Sequence, residues 1–174
     1  MAYTGAAMQD NWRDRLDREI RGARRIVILG VGNPDKGDDG AGPLCVRLLE
    51  AARPADAAAR LLIMDGREVP ESQTGPIRKF NPDLTILVDA AIGGHAAGTI
   101  FIVDRAAVTD DEVSTHRISL LYLIRYLEES IGSRVLLLGI EPADMGEGVP
   151  LSATVRTAAG RVTESILASL GRTG

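Results

Sequence analysis

The sequence contains one cysteine and two histidines among its 174 residues. A lone cysteine excludes an intrachain disulfide bond. No apolar stretch reaches the roughly 18 residues that a membrane-spanning helix requires. The first twenty residues carry acidic side chains and lack the apolar centre of a secretion signal. We therefore expect a soluble, cytoplasmic protein.

Several signatures of catalysis and binding are also missing. The sequence has no Gly-x-Ser-x-Gly, HExxH or CxxC motif, so a serine or cysteine hydrolase has no motif to support it. Its formal net charge is -4 with both signs interleaved, which leaves no basic face for nucleic acid. Hydrophobic residues make up 45% of the chain and charged residues 25%, as in ordinary globular domains. A single domain over residues 1–174 is expected, with a monomer favoured.

Short apolar runs alternate with amphipathic segments along the chain, which predicts an α/β fold with a mostly parallel sheet. Apolar residues spaced by four (Met8, Trp12, Leu16 and Ile20) predict a helix over 8–23, within an N-terminal extension of residues 1–24. Further helices are predicted from about Asp38 to Ala52, over 117–132 and from Ser152 onward. The predicted strands cover residues 24–32, 59–66, 84–90, 98–104 and 134–142.

One connection in this pattern is too short for a parallel arrangement. Only the segment AIGGHAAG separates the third predicted strand from the fourth. A crossover between parallel strands needs about a dozen residues or more. The fourth strand is therefore predicted to be antiparallel and to lie at an edge of the sheet.

The segment GVGNPDKGDDG, from Gly30 to Gly40, joins the first strand to a helix, where many proteins bind phosphate. As a dinucleotide fingerprint it lacks the third glycine, because Asp35 stands in that place. As a P-loop it has the glycine spacing, but Asp38 and Asp39 replace the lysine and the hydroxyl residue. Two carboxylates repel phosphate, so the loop suits a cation and a nucleotide-binding regulator is disfavoured.

The two adjacent aspartates have different expected roles. A carboxylate at a helix N-terminus caps free N–H groups, and such a local structural role is favoured for Asp38. One cap satisfies that need, so Asp39 is left for ligand binding or catalysis. Sites in open α/β sheets form beyond the carboxyl ends of strands, which makes Asp89 a second candidate. Asp65 also ends a strand, where anchoring of the next loop is favoured.

The two histidines differ in their surroundings. His116 lies just before the predicted helix over 117–132, where a lone histidine is usually a surface or capping residue. Together with Asp39 and Asp89, however, it would complete a donor set that suits nickel, zinc, iron or manganese. His95 lies in a glycine-rich turn and is expected to be exposed. Cys45 is expected to be an inert core thiol.

Five motifs occur in a fixed order: GVGNPDKGDDGAG after a strand, DG after the next strand, LVDA, STH before a helix, and LGIEP. Together they resemble the maturation endopeptidases of nickel–iron hydrogenases, over about residues 25–170. The resemblance implies a three-layer α/β/α fold with a twisted five-stranded sheet. It also implies a metal-binding trio that matches Asp39, Asp89 and His116. The chain departs from the family at Ala97, where a proline is common, and in its longer N-terminus.

The resemblance implies that the protein removes a C-terminal extension from the hydrogenase large-subunit precursor after nickel insertion. The nickel is carried by the precursor, with another divalent metal as a candidate replacement in vitro. The water could be activated by a carboxylate, Asp38 or Asp39, or by a metal acting as a Lewis acid. Gly37, Gly40 and Asp65 are expected to contact the substrate, and the loops 65–83 and 140–152 to set specificity. The alternative is a nickel-sensing chaperone that binds the precursor without cutting it.

Overall fold

The computed structural model describes residues 11–103 and 115–171. At its centre is a five-stranded sheet in the order β2-β1-β3-β5-β4. β1 pairs in parallel with β2 and β3, and β3 in parallel with β5, whereas β4 pairs antiparallel with β5 at the edge. The predicted antiparallel edge strand is thus confirmed. The strands are β1 (Ile26–Val31), β2 (Leu61–Arg67), β3 (Leu84–Ala90), β4 (Ile100–Ile102) and β5 (Arg134–Ile140).

Five α-helices flank this sheet in the described part of the chain. One of them lies within the segment 65–83, which was interpreted as a loop. It is short and contains Gly75 and Pro76, and Ile77 is its one buried side chain, so it carries no helical periodicity. The helices are α1 (Asn11–Arg21), α2 (Ala41–Ala52), α3 (Thr74–Phe80), α4 (Thr115–Tyr126) and α5 (Ala153–Gly171).

The helices form layers on both faces of the sheet, which confirms the three-layer architecture. Side chains of α1, α2 and α5 pack in one hydrophobic cluster, and those of α3 and α4 in another. β1 contributes to both clusters, because successive residues of a strand point to opposite faces: Ile26 and Ile28 join the first, Val27 and Leu29 the second. Burial on both faces explains why the central strands are continuous apolar runs.

The N-terminal helix is part of the first cluster. Trp12, Leu16 and Ile20 are 3%, 0% and 0% exposed, and α1 packs against α5. The predicted apolar stripe is therefore confirmed for these three residues, while Met8 lies outside the described residues. Within the described part of the chain, no helix has the length and apolar character needed to cross a bilayer.

One helix boundary differs from its predicted position, and another agrees with it. α2 begins at Ala41 rather than near Asp38, because Gly37–Gly40 form a 3-10 turn that leads into it. α4 continues into a π-helical turn, Leu127–Ile131, and ends at Gly132 in the left-handed conformation, as predicted.

The topology places a crevice between the ends of β1 and β3. After β1 the chain crosses to β2 on one side, and after β3 it proceeds towards β5 on the other side. Neighbouring connections that leave in opposite directions create a switch point at the carboxyl ends of the strands. We refer to this side of the sheet as the carboxyl edge.

Leu16→Ala is expected to lower the free energy of unfolding by about 2–5 kcal/mol, because it leaves a cavity where α1 meets the core. Urea unfolding followed by circular dichroism measures this change. Arg15→Ala, on the exposed side of the same helix, is the control and should change stability by less than about 0.5 kcal/mol. A Leu16→Ala protein as stable as the wild type would show that α1 does not support the core.

Candidate functional site

The loop between β1 and α2 is held closed by its own polar groups. The Asn33 side-chain oxygen accepts a hydrogen bond from the Asp35 N–H at 2.8 Å. Asp39 Oδ2 in turn accepts a hydrogen bond from the Asn33 N–H at 2.7 Å. Gly32 has φ +121°, and a Cβ there would collide with the carbonyl oxygen of Asp39. The loop therefore requires glycine at this position and fixes Asp39 relative to β1.

Close packing of α2 on the sheet brings this loop to the crevice. A Cβ on Gly30 would collide with the backbone of Gly42, and one on Gly42 with the carbonyl oxygens of Val31 and Val88. The start of α2 thus lies directly on the ends of β1 and β3. This contact explains Gly30 and Gly42 without any phosphate ligand.

Asp38 is fully buried and joins two distant loops. Its carboxylate accepts hydrogen bonds from the N–H groups of Ala143 (2.7 Å), Asp144 (3.2 Å) and Ser152 (2.7 Å), and from the Ser152 hydroxyl (2.9 Å). Its own N–H donates to the Asp144 carbonyl at 2.8 Å. Burial alone would raise the pKa of Asp38, but these hydrogen bonds outweigh it and hold the pKa below its ordinary value. Asp38 is therefore ionised and ties the β1–α2 loop to the β5–α5 loop.

The prediction of a local capping role for Asp38 is wrong, because its hydrogen-bond partners belong to a distant segment. α2 has Gly40 at its N-cap position and no side-chain cap, so Asp38 does not cap the helix that follows it. Its partners belong to the 143–152 segment, which local sequence rules do not identify. Ser152, predicted as the N-cap of the last helix, does accept a hydrogen bond from the Val155 N–H at 3.3 Å, and that prediction is confirmed.

Asp39 and Asp89 both lie at the carboxyl edge. Asp39 is partly exposed, and its Oδ1 accepts no hydrogen bond from the residues that the structure describes. Asp89 is half-buried near the end of β3, paired with Gly139 of β5. The turn that carries Asp39 contacts β3. The structure therefore brings these two predicted residues to the same edge of the sheet.

His116 lies in the first turn of α4, and its side chain is outside the described part of the structure. α4 and its π-helical turn lead into β5, which runs parallel to β3, and α4 contacts the 3-10 turn Pro70–Gln73 that follows β2 at the carboxyl edge. The backbone of His116 is thus on the side of the sheet that carries Asp39 and Asp89. Among the described side chains, which exclude His116, no three His, Cys, Asp or Glu residues are grouped to hold a metal. Metal binding by the trio stays a prediction.

Two further predicted residues, both glycines, have structural contacts at this edge. Gly37 has φ +51°, and a Cβ there would lie 2.5 Å from the Asp144 carbonyl oxygen. Gly40 is buried against Pro34 and Leu151. Both glycines shape the contact between the β1–α2 and β5–α5 loops, and their predicted contact with substrate stays a prediction.

Asp65 and His95 are both exposed. Asp65 lies within β2, and its Oδ1 accepts a hydrogen bond from the N–H of Arg67, the last residue of that strand, at 3.1 Å. Anchoring of the next loop by Asp65 stays a prediction. The His95 ring packs edge-on against Phe101 with centroids 4.8 Å apart. Cys45 is buried, and burial raises the pKa of its thiol to about 12, as expected for an inert core residue.

Two polar residues at this edge were not singled out from the sequence. Glu141 is only 5% exposed, and its Oε2 accepts a hydrogen bond from the Gly93 N–H at 2.7 Å, which holds the loop after Asp89. A glutamate directly after an apolar strand was a usable signal, by the rule that identified Asp89. Lys36 forms an ion pair with Glu68 at 3.0 Å, and the hydrogen bond and charge of Glu68 raise the pKa of Lys36.

Comparison with known proteins supports the resemblance inferred from the motifs. Residues 43–169 match the family model described as hydrogenase maturation protease. The hydrogenase 3 maturation protease of Escherichia coli K12 is 36% identical over 133 residues, which are 76% of this chain and 82% of that protein. The crystal structure of the hydrogenase maturation protease HycI from Thermococcus kodakarensis superimposes with a TM-score of 0.82 at 34% identity, covering 90% of this chain and 99% of that one. The maturating endopeptidase HybD of E. coli gives a TM-score of 0.66 at 28% identity, covering 86% and 94%.

Asp38→Asn is expected to lower the free energy of unfolding at pH 7 by about 2–4 kcal/mol, because charge-assisted hydrogen bonds are lost and an amide meets buried N–H donors. The folded pKa of Asp38 lies below the unfolded value, so its contribution is present above that unfolded value and is lost as pH falls through the folded pKa. The deficit of the variant should therefore shrink on acidification.

Urea unfolding of both proteins between pH 7 and pH 3 measures this difference. Asp35→Asn, which changes an exposed carboxylate in the same loop, is the control and should leave stability within about 0.5 kcal/mol of the wild type at pH 7. An Asp38→Asn deficit that does not vary with pH would contradict an ionised Asp38.

Proposed function

The chain belongs to the hydrogenase maturation protease family, and we propose that it is an endopeptidase that removes the C-terminal extension from a nickel–iron hydrogenase large-subunit precursor. The observation that supports this activity most directly is the geometry of Asp39. Its carboxylate is partly exposed at the carboxyl edge, and one of its oxygens is fixed by the Asn33 N–H. A carboxylate held in this way loses little conformational entropy when it binds a ligand.

In this proposal the nickel is part of the substrate, because it is already inserted in the precursor. Asp39, Asp89 and His116 offer two carboxylates and an imidazole, which divalent transition metals accept as ligands. Contact between this trio and the nickel would position the precursor and restrict cleavage to the loaded form. Another divalent metal is the candidate replacement in vitro.

Between the two adjacent acids, Asp39 is the better candidate for general base. Asp38 is fully buried, and four hydrogen bonds occupy its carboxylate. A base must reach the proton that it removes, and the fully buried Asp38 has no such access. Asp39 is partly exposed, and its Oδ1 accepts no hydrogen bond among the described residues. The other route to a reactive water is polarisation by a metal ion, in which case Asp39 would act as a ligand.

The loops 65–83 and 140–152 meet the Asp39 turn through the Lys36–Glu68 pair and the Asp38–Asp144 hydrogen bonds. Their position beside the turn supports a role in selecting which precursor is processed. A cytoplasmic location and a monomeric state are part of the same proposal.

His116→Ala is expected to reduce cleavage of a purified nickel-loaded precursor by about 100-fold or more, because a group in direct contact with the substrate is lost. The shortening of the precursor is followed by mass spectrometry. His95→Ala, which changes the exposed histidine of the β3–β4 loop, is the matched control and should cleave as the wild type does. The wild type should leave nickel-free precursor intact.

Two results would contradict this assignment. If His116→Ala and His95→Ala cleave the precursor equally well, His116 is not part of the site. If the wild type binds the loaded precursor without shortening it, the protein is the nickel-sensing chaperone and not an endopeptidase.

Asp39→Asn and Asp38→Asn should separate catalysis from stability. Asp39→Asn keeps an acceptor for the Asn33 N–H, so its free energy of unfolding should stay within about 1 kcal/mol of the wild type, while kcat/KM falls by about 100-fold or more. Asp38→Asn should show the larger loss of stability. Cleavage kinetics and urea unfolding on the same preparations measure both quantities. A fully active Asp39→Asn protein would place the base elsewhere.

A further inference from the structure

Four large hydrophobic side chains are exposed in the described part of the chain: Val69 (52%), Ile92 (61%), Tyr122 (68%) and Met145 (37%). A single exposed apolar residue needs no explanation. Three of the four, however, lie in the loops that follow β2, β3 and β5 at the carboxyl edge. We name Val69, Ile92 and Met145 the apolar rim.

Met145 of the rim lies against the turn that carries Asp39. A Cβ on Gly37 would be 3.5 Å from the Cα of Met145. The preceding residue, Asp144, is bound at both backbone polar groups by Asp38: its N–H donates to the carboxylate at 3.2 Å, and its carbonyl accepts the Asp38 N–H at 2.8 Å. Met145 is therefore presented to solvent from a fixed backbone beside the candidate site.

Val69 is attached to the same loop from the other side. The residue before Val69 is Glu68, which forms the 3.0 Å ion pair with Lys36. Lys36 lies three positions before Asp39 in the sequence. The Val69 N–H also donates to the Gly66 carbonyl at 3.3 Å, and its carbonyl accepts the Ser72 N–H at 3.0 Å. Its side chain is thus exposed from a turn that is bonded on both sides.

Ile92 follows Asp89 by three positions, and both of its neighbours are hydrogen-bonded. The Ala91 N–H donates to the Ile140 carbonyl at 3.0 Å, and the Gly93 N–H donates to Glu141 Oε2 at 2.7 Å. The buried carboxylate of Glu141 therefore holds the position from which Ile92 projects.

This arrangement has the physical character of a binding surface. Apolar side chains held in water on rigid loops gain free energy when a partner covers them, and rigid loops lose little conformational entropy on binding. Interfaces commonly have such apolar anchors with a polar surround. Here the polar side chains beside the rim residues carry charges of both signs: Arg67, Asp144, Glu147 and Glu68, which pairs with Lys36.

We propose that the apolar rim is the contact that seats the large-subunit precursor, by covering apolar side chains of the segment next to the cleaved bond. The proposal rests on the proposed function, because it assigns the occupant from the position of Asp39 and Asp89. The rim residues lie in loops at the edge that carries these two residues, and Met145 lies against the turn of Asp39, so a segment that presents a peptide bond to Asp39 reaches the rim.

The test compares a triple variant, Val69→Ser with Ile92→Ser and Met145→Ser, with the single variant Tyr122→Ser. Tyr122 is more exposed than any rim residue but lies within α4, seven residues beyond its start, so it is the matched control. Binding to immobilised, purified nickel-loaded precursor is measured by biolayer interferometry, and cleavage kinetics on the same precursor in solution. Circular dichroism verifies that each variant is folded.

The triple variant is expected to raise Kd about 30-fold or more, and to raise KM with kcat changed by less than about 3-fold. Each single rim variant should raise Kd by about 3- to 10-fold. Tyr122→Ser should stay within about 2-fold of the wild type. The single variants keep the test decisive if the triple variant does not fold.

Three outcomes would overturn the inference in distinguishable ways. If the wild type cleaves and the rim variants bind equally well, the rim is not the docking surface although the proposed function stands. If the rim variants change self-association in sedimentation but not precursor binding, the rim is a contact between copies of this chain. If the wild type neither binds nor cleaves the precursor, the proposed function falls and this inference falls with it.

Discussion

The buried carboxylate of Asp38 is the interaction on which the candidate site depends. An ionised carboxylate is expensive to bury unless hydrogen bonds replace its water, and here the N–H groups of Ala143, Asp144 and Ser152 and the Ser152 hydroxyl do so. These bonds join the loop after β1 to the loop after β5 and to the start of α5. Because Asp38 is committed to this contact, its neighbour Asp39 is held in a fixed place at the carboxyl edge. In the proposed function the two adjacent acids therefore have separate roles, Asp38 in structure and Asp39 in chemistry.

The backbone shape of the glycine-rich loop is compatible with a ligand of either charge, an anion such as phosphate or a cation. Gly30 and Gly42 let α2 rest on the ends of β1 and β3, and Gly32 lets the chain turn against Asp39. Such close approach is what a phosphate site also needs. The side chains decide the ligand, because carboxylates at the helix start repel an anion and suit a cation. The same geometry therefore presents a carboxylate to a metal-bearing substrate in the proposed function.

Three loops around Asp39 are each held by a different polar contact. Lys36 pairs with Glu68 after β2, Glu141 binds the loop after β3, and Asp38 binds the loop after β5. Fixed loops lower the entropic cost of binding a partner. In the proposed function these three contacts support both the candidate catalytic groups and the apolar rim, so recognition and cleavage would be aligned before the substrate arrives.

Local patterns in the sequence determined the strands, the antiparallel edge strand, the buried face of α1 and the placement of Asp39 and Asp89 at the carboxyl edge. Hydrophobic periodicity and connection length act over a few residues, so one sequence is enough to interpret them. The short helix α3 was missed because only Ile77 of it is buried. The partners of Asp38, which lie 105 to 114 residues further along the chain, and the bond from Gly93 to Glu141 were decided only by the tertiary structure. Whether a carboxylate caps its own helix or clamps a distant loop depends on which N–H groups folding brings within about 3 Å, and no local pattern records that.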